Sequence, residues 1–454
     1  MERVGNMKEK PNIIFYFADQ QRPDTLGCYG QRLPVSPVLD RLAGEGVLFE
    51  NAYTVQPVCG PARAVLQSGR YATETGCYRN GIHLPTDITT LADCFHDAGY
   101  ETAYVGKWHL ASDKEDCDLR TFPVPQNRRG GYRDYWMAAD VLEFTSHGYN
   151  GFVFDENGDK VNFTGYRADC INNFAVDYLS RKKDKPFFLF VSQLEPHQQN
   201  DRDTFEGPYG SRRRFGNFDP PIDLEPLEGN WREEMPGYLG SCHSLDENVG
   251  RLTDVLKDQG LYENTIIVYT SDHGCHFRTR PGEYKRSCHD ASIHIPLIIH
   301  GPGFTGGKRI EHLVSLLDLP ATLLAAAGIE KPEEFRGRDL HPLAEGTAQN
   351  WEDEIFIQIS EHQTGRALRN TRWTYSIRAG DGELNAWSDT FYEDFLYDNK
   401  NDPGQHCNLV SAPDYAEIRE QLRERLLIRM KEAGEELPQI LPASMRPDQR
   451  KEES

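Results

Sequence analysis

The chain places Cys59, Pro61 and Arg63 in a C-x-P-x-R pattern, with Ser68-Gly69-Arg70 and Asn80 shortly after it. The composition yields such a pattern by chance only about 0.07 times. Pro61 suits the first turn of a helix, because the N–H that proline lacks would be unpaired there. Cys59 would then lie at the positive end of the helix dipole, where an anionic nucleophile is stabilised. Arg63 would lie one turn later on the same face and could orient the side chain of residue 59.

Two pairs of polar residues follow apolar runs that have the character of strands. Asp19-Gln20 follows Ile13 to Phe17, and Asp272-His273 follows Thr265 to Thr270. An aspartate in such a position is often only a helix cap, just as a lone cysteine is often a buried residue without chemistry. Together, however, two carboxylates, an amide oxygen and an imidazole make a ligand set for one divalent cation. We therefore predict that these four residues bind a metal ion.

Basic residues follow two further strand-like runs. Lys107-Trp108-His109 comes after Thr102 to Val105, Glu195-Pro196-His197 comes after Phe187 to Ser192, and Lys285 lies a short distance past Asp272. Cationic groups gathered at one end of a sheet could clamp a tetrahedral anion. A surface lysine beside a stacked tryptophan would produce the same pattern without any chemistry.

The elements that would position these residues predict an α/β fold. We expect a large, mostly parallel central sheet sandwiched by helices, because the apolar runs are short, β-branched and unalternated. Ligands of such sheets collect beyond the carboxyl ends of the strands, where Asp19, Lys107, His197 and Asp272 fall. A fifth run, Pro296 to His300, completes the predicted strands. The predicted helices are Val38 to Ala43, Thr89 to Ala98, Ala168 to Ser180 and Leu245 to Lys257.

The pattern changes twice along the chain. The stretch from Gln198 to Pro236 is polar and without periodicity, so we predict a long surface loop near the site. We assign residues 1–345 to a catalytic domain and residues 346–454 to a smaller subdomain with a polar tail. In that subdomain Ile355 to Ser360 and Trp373 to Ile377 indicate a short antiparallel sheet, and Ala416 to Ala433 indicates a charged helix.

Composition excludes several classes of function. At 454 residues with 38% hydrophobic content the chain can bury a large core, and its formal charge of −21 argues against nucleic acid or an anionic membrane as partner. The ten cysteines include no C-x-x-C pair, so neither a disulfide scaffold nor a zinc ribbon is expected. The first residues contain no apolar run long enough for a signal peptide, which predicts a cytoplasmic protein, or a periplasmic or secreted one if the sequence was trimmed.

The segment around Cys59 resembles the signature of the type I, formylglycine-dependent sulfatases of the alkaline phosphatase superfamily. The resemblance extends to Asp19-Gln20, Gly106-Lys107-Trp108-His109, Pro196-His197 and Asp272-His273, and to a C-terminal element, Leu396-Tyr397-Asp398, Asp402-Pro403 and Asn408-Leu409. It implies that Cys59 becomes formylglycine (3-oxoalanine) through a formylglycine-generating or an anaerobic sulfatase-maturating enzyme. It also implies a cation held by Asp19, Gln20, Asp272, His273 and residue 59. Ca²⁺ is expected, and His273, a softer donor, leaves Mn²⁺ open.

The same resemblance implies roles for the basic residues. The hydrated formylglycine would attack sulfur while Lys107 and Lys285 neutralise the sulfate oxygens. His197, helped by Lys285, would protonate the leaving alcohol, and His109 would take the proton that allows sulfate to be expelled. Arg63 would complete the catalytic set, and Asn80 would help to hold the nucleophile.

The substrate is expected to be a carbohydrate sulfate, such as a glycosaminoglycan fragment or an algal oligosaccharide. Asn80, Arg202, His362 and Arg366 are the predicted substrate-binding residues, because such groups suit the hydroxyls and carboxylates of a sugar; solvated loop charges are the alternative. Two other functions stay open at this point. One is a phosphodiesterase, phosphonate monoester hydrolase or choline-sulfatase-like enzyme with the same nucleophile and metal. The other is a non-catalytic protein that binds sulfated sugars, if Cys59 is never modified. The sequence predicts no oligomeric state.

Overall fold

The computed structural model describes residues 10–113, 118–280, 282–380 and 385–447. Within these ranges the chain forms a 12-stranded mixed sheet and a separate 5-stranded sheet. The strands are β1 (Asn12–Asp19), β2 (Val47–Tyr53), β3 (Glu101–Lys107), β4 (Tyr135–Ala139), β5 (Ser146–His147), β6 (Asn150–Phe154), β7 (Lys160–Thr164), β8 (Phe187–Pro196), β9 (Thr265–Ser271), β10 (His294–Ile295), β11 (Leu297–His300), β12 (Lys308–Ser315), β13 (Glu354–Ile359), β14 (Gly365–Asn370), β15 (Trp373–Ala379), β16 (Thr390–Asp398) and β17 (Gln439–Leu441).

Helices cover both faces of the large sheet, and the last helix packs on the small one. The α-helices are α1 (Pro37–Glu45), α2 (Cys59–Ser68), α3 (Ala72–Thr75), α4 (Leu91–Asp97), α5 (Leu142–Thr145), α6 (Arg167–Ser180), α7 (Ser211–Phe215), α8 (Trp231–Asp258), α9 (Asp290–Ile293), α10 (Asp318–Ala326), α11 (His341–Glu345) and α12 (Ala416–Glu432).

The first strand shows why the large sheet must be covered on both faces. All eight residues of β1 are buried. Because successive side chains point to opposite faces, Phe15 and Phe17 enter one hydrophobic cluster, with α2 and α10, while Ile14 and Tyr16 enter the other, with α6 and α8. The unalternated apolar run seen in the sequence is thus the signature of a strand buried on both sides, as predicted.

The centre of the large sheet is parallel and its edges are not. Neighbouring strands run in the order β9, β1, β8, β3 and β4, each parallel to the next. The strand predicted at Pro296 to His300 forms as β11, but it pairs antiparallel with both β9 and β2. The candidate site residues end or follow β1, β3, β8 and β9. These strands all lie in the parallel centre, so their carboxyl ends lie at the same edge of the sheet.

The prediction of a long surface loop from Gln198 to Pro236 is wrong in two respects. The segment contains α7, and α8 begins at Trp231 rather than near Leu245. Phe205, Phe215 and Trp231 are buried in a cluster of their own. Pro236 removes one helical hydrogen bond, yet the helix continues, because packing on its apolar face outweighs that loss.

The C-terminal sheet is antiparallel from β13 to β16, and β17 is added parallel to β16. Leu422, Leu426 and Met430 of α12 recur at four-residue spacing and pack on this sheet. All strands of the large sheet precede residue 345 and those of the small sheet follow residue 346. The division of the chain into two domains there stays a prediction.

Candidate active site

Four neighbouring parallel strands deliver polar side chains to one edge of the sheet. Asp19 ends β1, Lys107 ends β3, His197 follows β8 and Asp272 follows β9. All four are buried, with exposed fractions of 5% or less. The strand-end rule therefore placed these residues correctly relative to one another.

Cys59 is the first residue of α2, as the motif predicts, and its side chain is buried. The amide N–H of Gly60, in the unsatisfied first turn, donates to Oδ1 of Asn80 at 2.9 Å, which fixes the start of the helix. The sulfur of Cys59 lies 2.9 Å from Nζ of Lys285 and 3.2 Å from Nε2 of His273. The nucleophile candidate thus sits between a cation and a metal-ligand candidate.

The surroundings of Cys59 stabilise an anion. Burial alone would raise the pKa of its thiol, but the charges of Lys285, Lys107 and His273 hold that pKa well below its ordinary value. An oxyanion at the same position would be stabilised by the same charges. The chemical consequence is a site built for a negatively charged transition state.

Four buried residues could hold one metal ion. One ligand atom each from Asp19, Cys59, Asp272 and His273 can be chosen so that all lie within 4.8 Å of one another. Burial and then the charge of Asp19 raise the pKa of Asp272, and its Oδ2 has no hydrogen-bond partner among the described residues. A divalent cation would satisfy that oxygen and offset the repulsion between the carboxylates, so the donor set fits the metal that the sequence predicts.

Gln20 lies against the same cluster, but its side chain is oriented by other contacts. Its backbone N–H donates to Oδ1 of Asp272 at 2.9 Å, and its Nε2 donates to Oε1 of Gln198 at 2.8 Å. Its Oε1 accepts from Nζ of Lys285 at 3.4 Å. The sequence predicts that the amide oxygen of Gln20 binds the metal ion. In the structure the same oxygen accepts a hydrogen bond from Lys285.

Arg63 supports the site through Asp19. Its guanidinium donates to Oδ2 of Asp19 at 3.1 Å, to the Oγ of Ser192 at 2.6 Å and to the carbonyl oxygen of Lys107 at 2.9 Å. These contacts differ from the expectation that Arg63 orients the side chain of residue 59. The buried guanidinium instead orients Asp19, one of the four candidate metal ligands.

Lys107 is the last residue of β3, and His109 lies in the loop that follows. Nζ of Lys107 donates to Oδ2 of Asp19 at 2.8 Å and to Oε1 of Glu143 at 3.1 Å, and these two carboxylates raise its pKa despite burial. The loop is fixed by Asp140, whose carboxylate accepts backbone N–H groups from residues 110–112. His109, with φ of 60°, lines the cavity beside Cys59.

His197 pairs with Lys285. Nδ1 of His197 lies 2.6 Å from the carbonyl oxygen of Gln198, and Nε2 lies 3.2 Å from Nζ of Lys285. Burial and the charge of Lys285 lower the pKa of His197. The imidazole is therefore neutral at pH 7, with its proton assigned to Nδ1 from its hydrogen-bond partner.

These side chains open onto a cavity of about 350 Å³. Its lining includes Cys59, Asn80, His109, Glu143, His197, Lys285 and Arg286. Sequence reasoning missed Glu143, because strand β4, which leads to it, was not recognised. The end of this short strand was the sequence signal that could have located Glu143.

The predicted substrate-binding residues have different fates. Asn80 lines the cavity. Arg202 pairs with Glu206, and its side chain is half exposed. Nδ1 of His362 lies 3.6 Å from Oε1 of Glu283, a residue of the cavity wall, so His362 lies at the rim.

The assignment of Arg366 is corrected by the structure. Its guanidinium is only 1% exposed and donates to the Glu435 carboxylate at 2.7 and 2.9 Å, and to the carbonyl oxygens of Gly365 and Ala386. A guanidinium buried in these contacts is not accessible to a sugar. Arg366 holds the C-terminal sheet to the segment after α12.

Comparison with known proteins agrees with this geometry. A family model described as Sulfatase matches residues 11–329, and one described as N-sulphoglucosamine sulphohydrolase, C-terminal, matches residues 282–432.

No helix among the described residues has both the length and the apolar character required to cross a membrane.

Curated relatives and solved structures match over nearly the whole chain. An ulvan-active sulfatase of Formosa agariphila is 32% identical over 451 residues, covering 94% of this chain and 82% of that protein. An N-acetylglucosamine-6-O-sulfatase of Bacteroides thetaiotaomicron is 27% identical over 508 residues, covering 92% and 86%. The crystal structure of the yidJ protein of Bacteroides fragilis has a TM-score of 0.82 at 25% identity, covering 94% and 97%. The fold, the site and the family model together show that the chain belongs to the sulfatase family.

Proposed function

We propose that this sulfatase removes sulfate from a sulfated carbohydrate, with residue 59 as nucleophile. The observation that carries the proposal is the convergence of Cys59, Lys285 and His197 on one cavity, with Lys107 held behind it by Asp19 and by Glu143 of the cavity wall. Cations on several sides of the nucleophile suit a tetrahedral anion that gains charge during the reaction.

Two groups complete the site in this proposal. Residue 59 as formylglycine supplies a hydrated aldehyde, a nucleophile that releases sulfate by elimination and so regenerates itself. A formylglycine-generating or anaerobic sulfatase-maturating enzyme would install it. Asp19, Asp272, His273 and residue 59 would hold a divalent cation, Ca²⁺ or alternatively Mn²⁺, with Gln20 adjacent. This cation would polarise the nucleophile and the sulfate oxygens.

The chain's own residues then divide the work. Lys107 and Lys285 donate to the sulfate oxygens as charge develops on them. His197 lies within reach of Lys285 and delivers a proton to the oxygen of the departing alcohol. His109, which lines the same cavity, accepts the proton whose removal allows sulfate to leave. Arg63 keeps Asp19 in place, and Asn80 keeps the start of α2 in place.

A carbohydrate substrate is supported by the relatives and by the cavity. One matching relative is named for ulvan and another for N-acetylglucosamine 6-O-sulfate. The cavity wall carries amide and carboxylate groups, including Asn80, Gln198, Asn200 and Glu283, which suit sugar hydroxyls. A glycosaminoglycan fragment or an algal oligosaccharide has the chemistry that this wall requires.

Parallel assays test the proposal. The protein is co-expressed with a maturating enzyme and incubated with 4-nitrophenyl sulfate, bis(4-nitrophenyl) phosphate, phenyl phosphonate esters and a panel of sulfated sugars. Release of sulfate from at least one sugar, in preference to the phosphorus esters, is expected. Preferential cleavage of a phosphodiester or a phosphonate ester would overturn it, and so would absence of any turnover by protein that carries formylglycine.

A further inference from the structure

The short helix α5 brings two unassigned side chains into the cavity. Glu143 and Phe144 are adjacent in sequence, and both line the cavity beside Cys59. The helix follows strand β4. This strand pairs with β3, which ends at Lys107. Its position is set by hydrogen bonds: Nε2 of Gln199 donates to the carbonyl oxygen of Glu143 at 3.0 Å, and the N–H of Phe144 donates to the carbonyl oxygen of Val141 at 2.9 Å.

Glu143 is a buried carboxylate with one oxygen used and one oxygen free. Oε1 accepts from Nζ of Lys107 at 3.1 Å, whereas Oε2 has no hydrogen-bond partner among the described residues. The residue is only 8% exposed. Burial of an unpartnered carboxylate oxygen costs free energy, so a donor entering the cavity would be bound there with a clear gain.

Phe144 has the opposite character. It is 53% exposed, unusual for a phenylalanine, and it borders both the main cavity and a neighbouring groove that contains His147, Asn150 and Phe152. The guanidinium of Arg120 lies 5.1 Å from the ring centroid, which restrains the ring. Arg120 is in turn held by Asp118 at 2.6 Å. An exposed, restrained aromatic ring at a cavity mouth suits the apolar face of a sugar ring.

We propose that Glu143 and Phe144 recognise the sugar that bears the sulfate. In this proposal, which rests on the proposed function, Oε2 of Glu143 accepts a hydrogen bond from the hydroxyl or amino group nearest the sulfated carbon, and Phe144 packs against the face of the same ring. Because Lys107 is held by the other oxygen of Glu143, the carboxylate ties recognition of the sugar to the position of a sulfate-binding lysine. The substrate class is therefore a pyranose sulfate with a free hydrogen-bond donor beside the ester.

The experiment compares two kinds of substrate. Protein that carries formylglycine, as wild type and as Glu143→Gln, is assayed with 4-nitrophenyl sulfate, with the 2-, 3-, 4- and 6-monosulfates of glucose and galactose, and with the 3-, 4- and 6-monosulfates of N-acetylglucosamine. For the best sugar, kcat/KM of Glu143→Gln should fall about 10- to 100-fold more than it falls for 4-nitrophenyl sulfate. Equal losses on both substrates would show that Glu143 only positions Lys107, which overturns the proposal.

A substrate change tests the same contact without altering the protein. The deoxy analogue of the best sugar lacks the hydroxyl nearest the sulfated carbon, and wild type should hydrolyse it about 10- to 100-fold less efficiently than the parent sugar. Glu143→Gln should discriminate against the analogue much less. Equal efficiency of wild type on the two sugars contradicts the proposal, even if the variant fails to fold.

Phe144 has a matched control in Phe122, which is 60% exposed and is not among the residues that line the cavity. Phe144→Ala should raise KM for the best sugar about tenfold, whereas Phe122→Ala should leave it at the wild-type value. An unchanged KM in Phe144→Ala overturns the stacking contact. A wild type that hydrolyses 4-nitrophenyl sulfate but none of the sugars overturns the recognition proposal, whereas one that hydrolyses no sulfate ester refutes the proposed function itself.

Discussion

The side-chain nitrogen of Lys285 lies 3.2 Å from Nε2 of His197, whose Nδ1 lies 2.6 Å from the carbonyl oxygen of Gln198. The imidazole therefore donates through Nδ1 and accepts from the lysine through Nε2. Burial and the lysine charge lower the pKa of His197, so the imidazole holds no spare proton of its own. In the proposed mechanism, a proton for the leaving alcohol therefore passes from the ammonium of Lys285 through this histidine.

This relationship predicts a dependence on the leaving group. In His197→Ala, kcat/KM for a sugar sulfate should fall about 100-fold or more, because an alkoxide is a poor leaving group without a proton donor. For 4-nitrophenyl sulfate, whose phenolate leaves unaided, the loss should be much smaller. Steady-state kinetics on the two substrates measures the difference. Equal losses would assign His197 to sulfate binding instead.

The metal cluster predicts that each chain binds a single divalent ion. Dialysed protein should retain one ion per chain by elemental mass spectrometry, and a chelator should abolish activity that Ca²⁺ restores. Asp272→Ala should weaken metal binding by about 100-fold or more, because it removes a ligand candidate whose Oδ2 accepts no hydrogen bond from the described residues. Asp184→Ala, at an exposed carboxylate, is the control. Full metal content in Asp272→Ala would refute this ligand assignment.

The buried pair of Arg366 and Glu435 predicts a defect in stability rather than in substrate binding. Both side chains are nearly inaccessible, with 1% and 4% exposure, so Arg366→Ala leaves an uncompensated charge and should lower the free energy of unfolding by about 3 kcal/mol. Denaturant unfolding measures this loss. KM of the folded variant should equal that of wild type, and a large increase in KM would restore Arg366 to the substrate site.

Much of the fold followed from the sequence because the central strands are buried on both faces. Runs such as Ile13 to Phe17 and Phe187 to Ser192 can be recognised by composition alone, and the residues after them fall at one sheet edge for topological reasons. Strand β4 escaped recognition, because Tyr135 to Ala139 is short and ends in alanines. Because this strand was not predicted, Glu143, which lies just beyond it, was not recognised as a site residue.

Long-range pairing was the part that the sequence did not reveal. Arg366 and Glu435 are 69 residues apart, and no periodicity connects a strand arginine to a glutamate after a distant helix. The same holds for Glu361, whose carboxylate accepts from Asn80 and from Arg286 and so links the C-terminal part of the chain to the cavity wall. Such contacts depend on the packing of the two sheets, which local patterns do not determine.

Asp246 predicts a pH dependence of stability away from the site. Its carboxylate accepts from the N–H groups of Val38 and Leu39 at the start of α1, and burial raises its pKa from 3.8 to about 7. Between these values the folded chain binds more protons than the unfolded chain, so this group's contribution to stability falls as pH rises. The Tm of Asp246→Asn relative to wild type should therefore increase from about pH 5 to about pH 8. A constant difference in Tm would contradict the raised pKa.

The state of residue 59 is the most direct test of the account. Peptide mass spectrometry of active protein should show residue 59 lighter than cysteine by about 18 Da, with activity proportional to the converted fraction, because a thiol cannot support the elimination step. Cys59→Ala should fold with the circular dichroism spectrum and Tm of wild type but show no turnover. Wild-type activity in Cys59→Ala, or in a preparation whose residue 59 is entirely cysteine, would contradict the account.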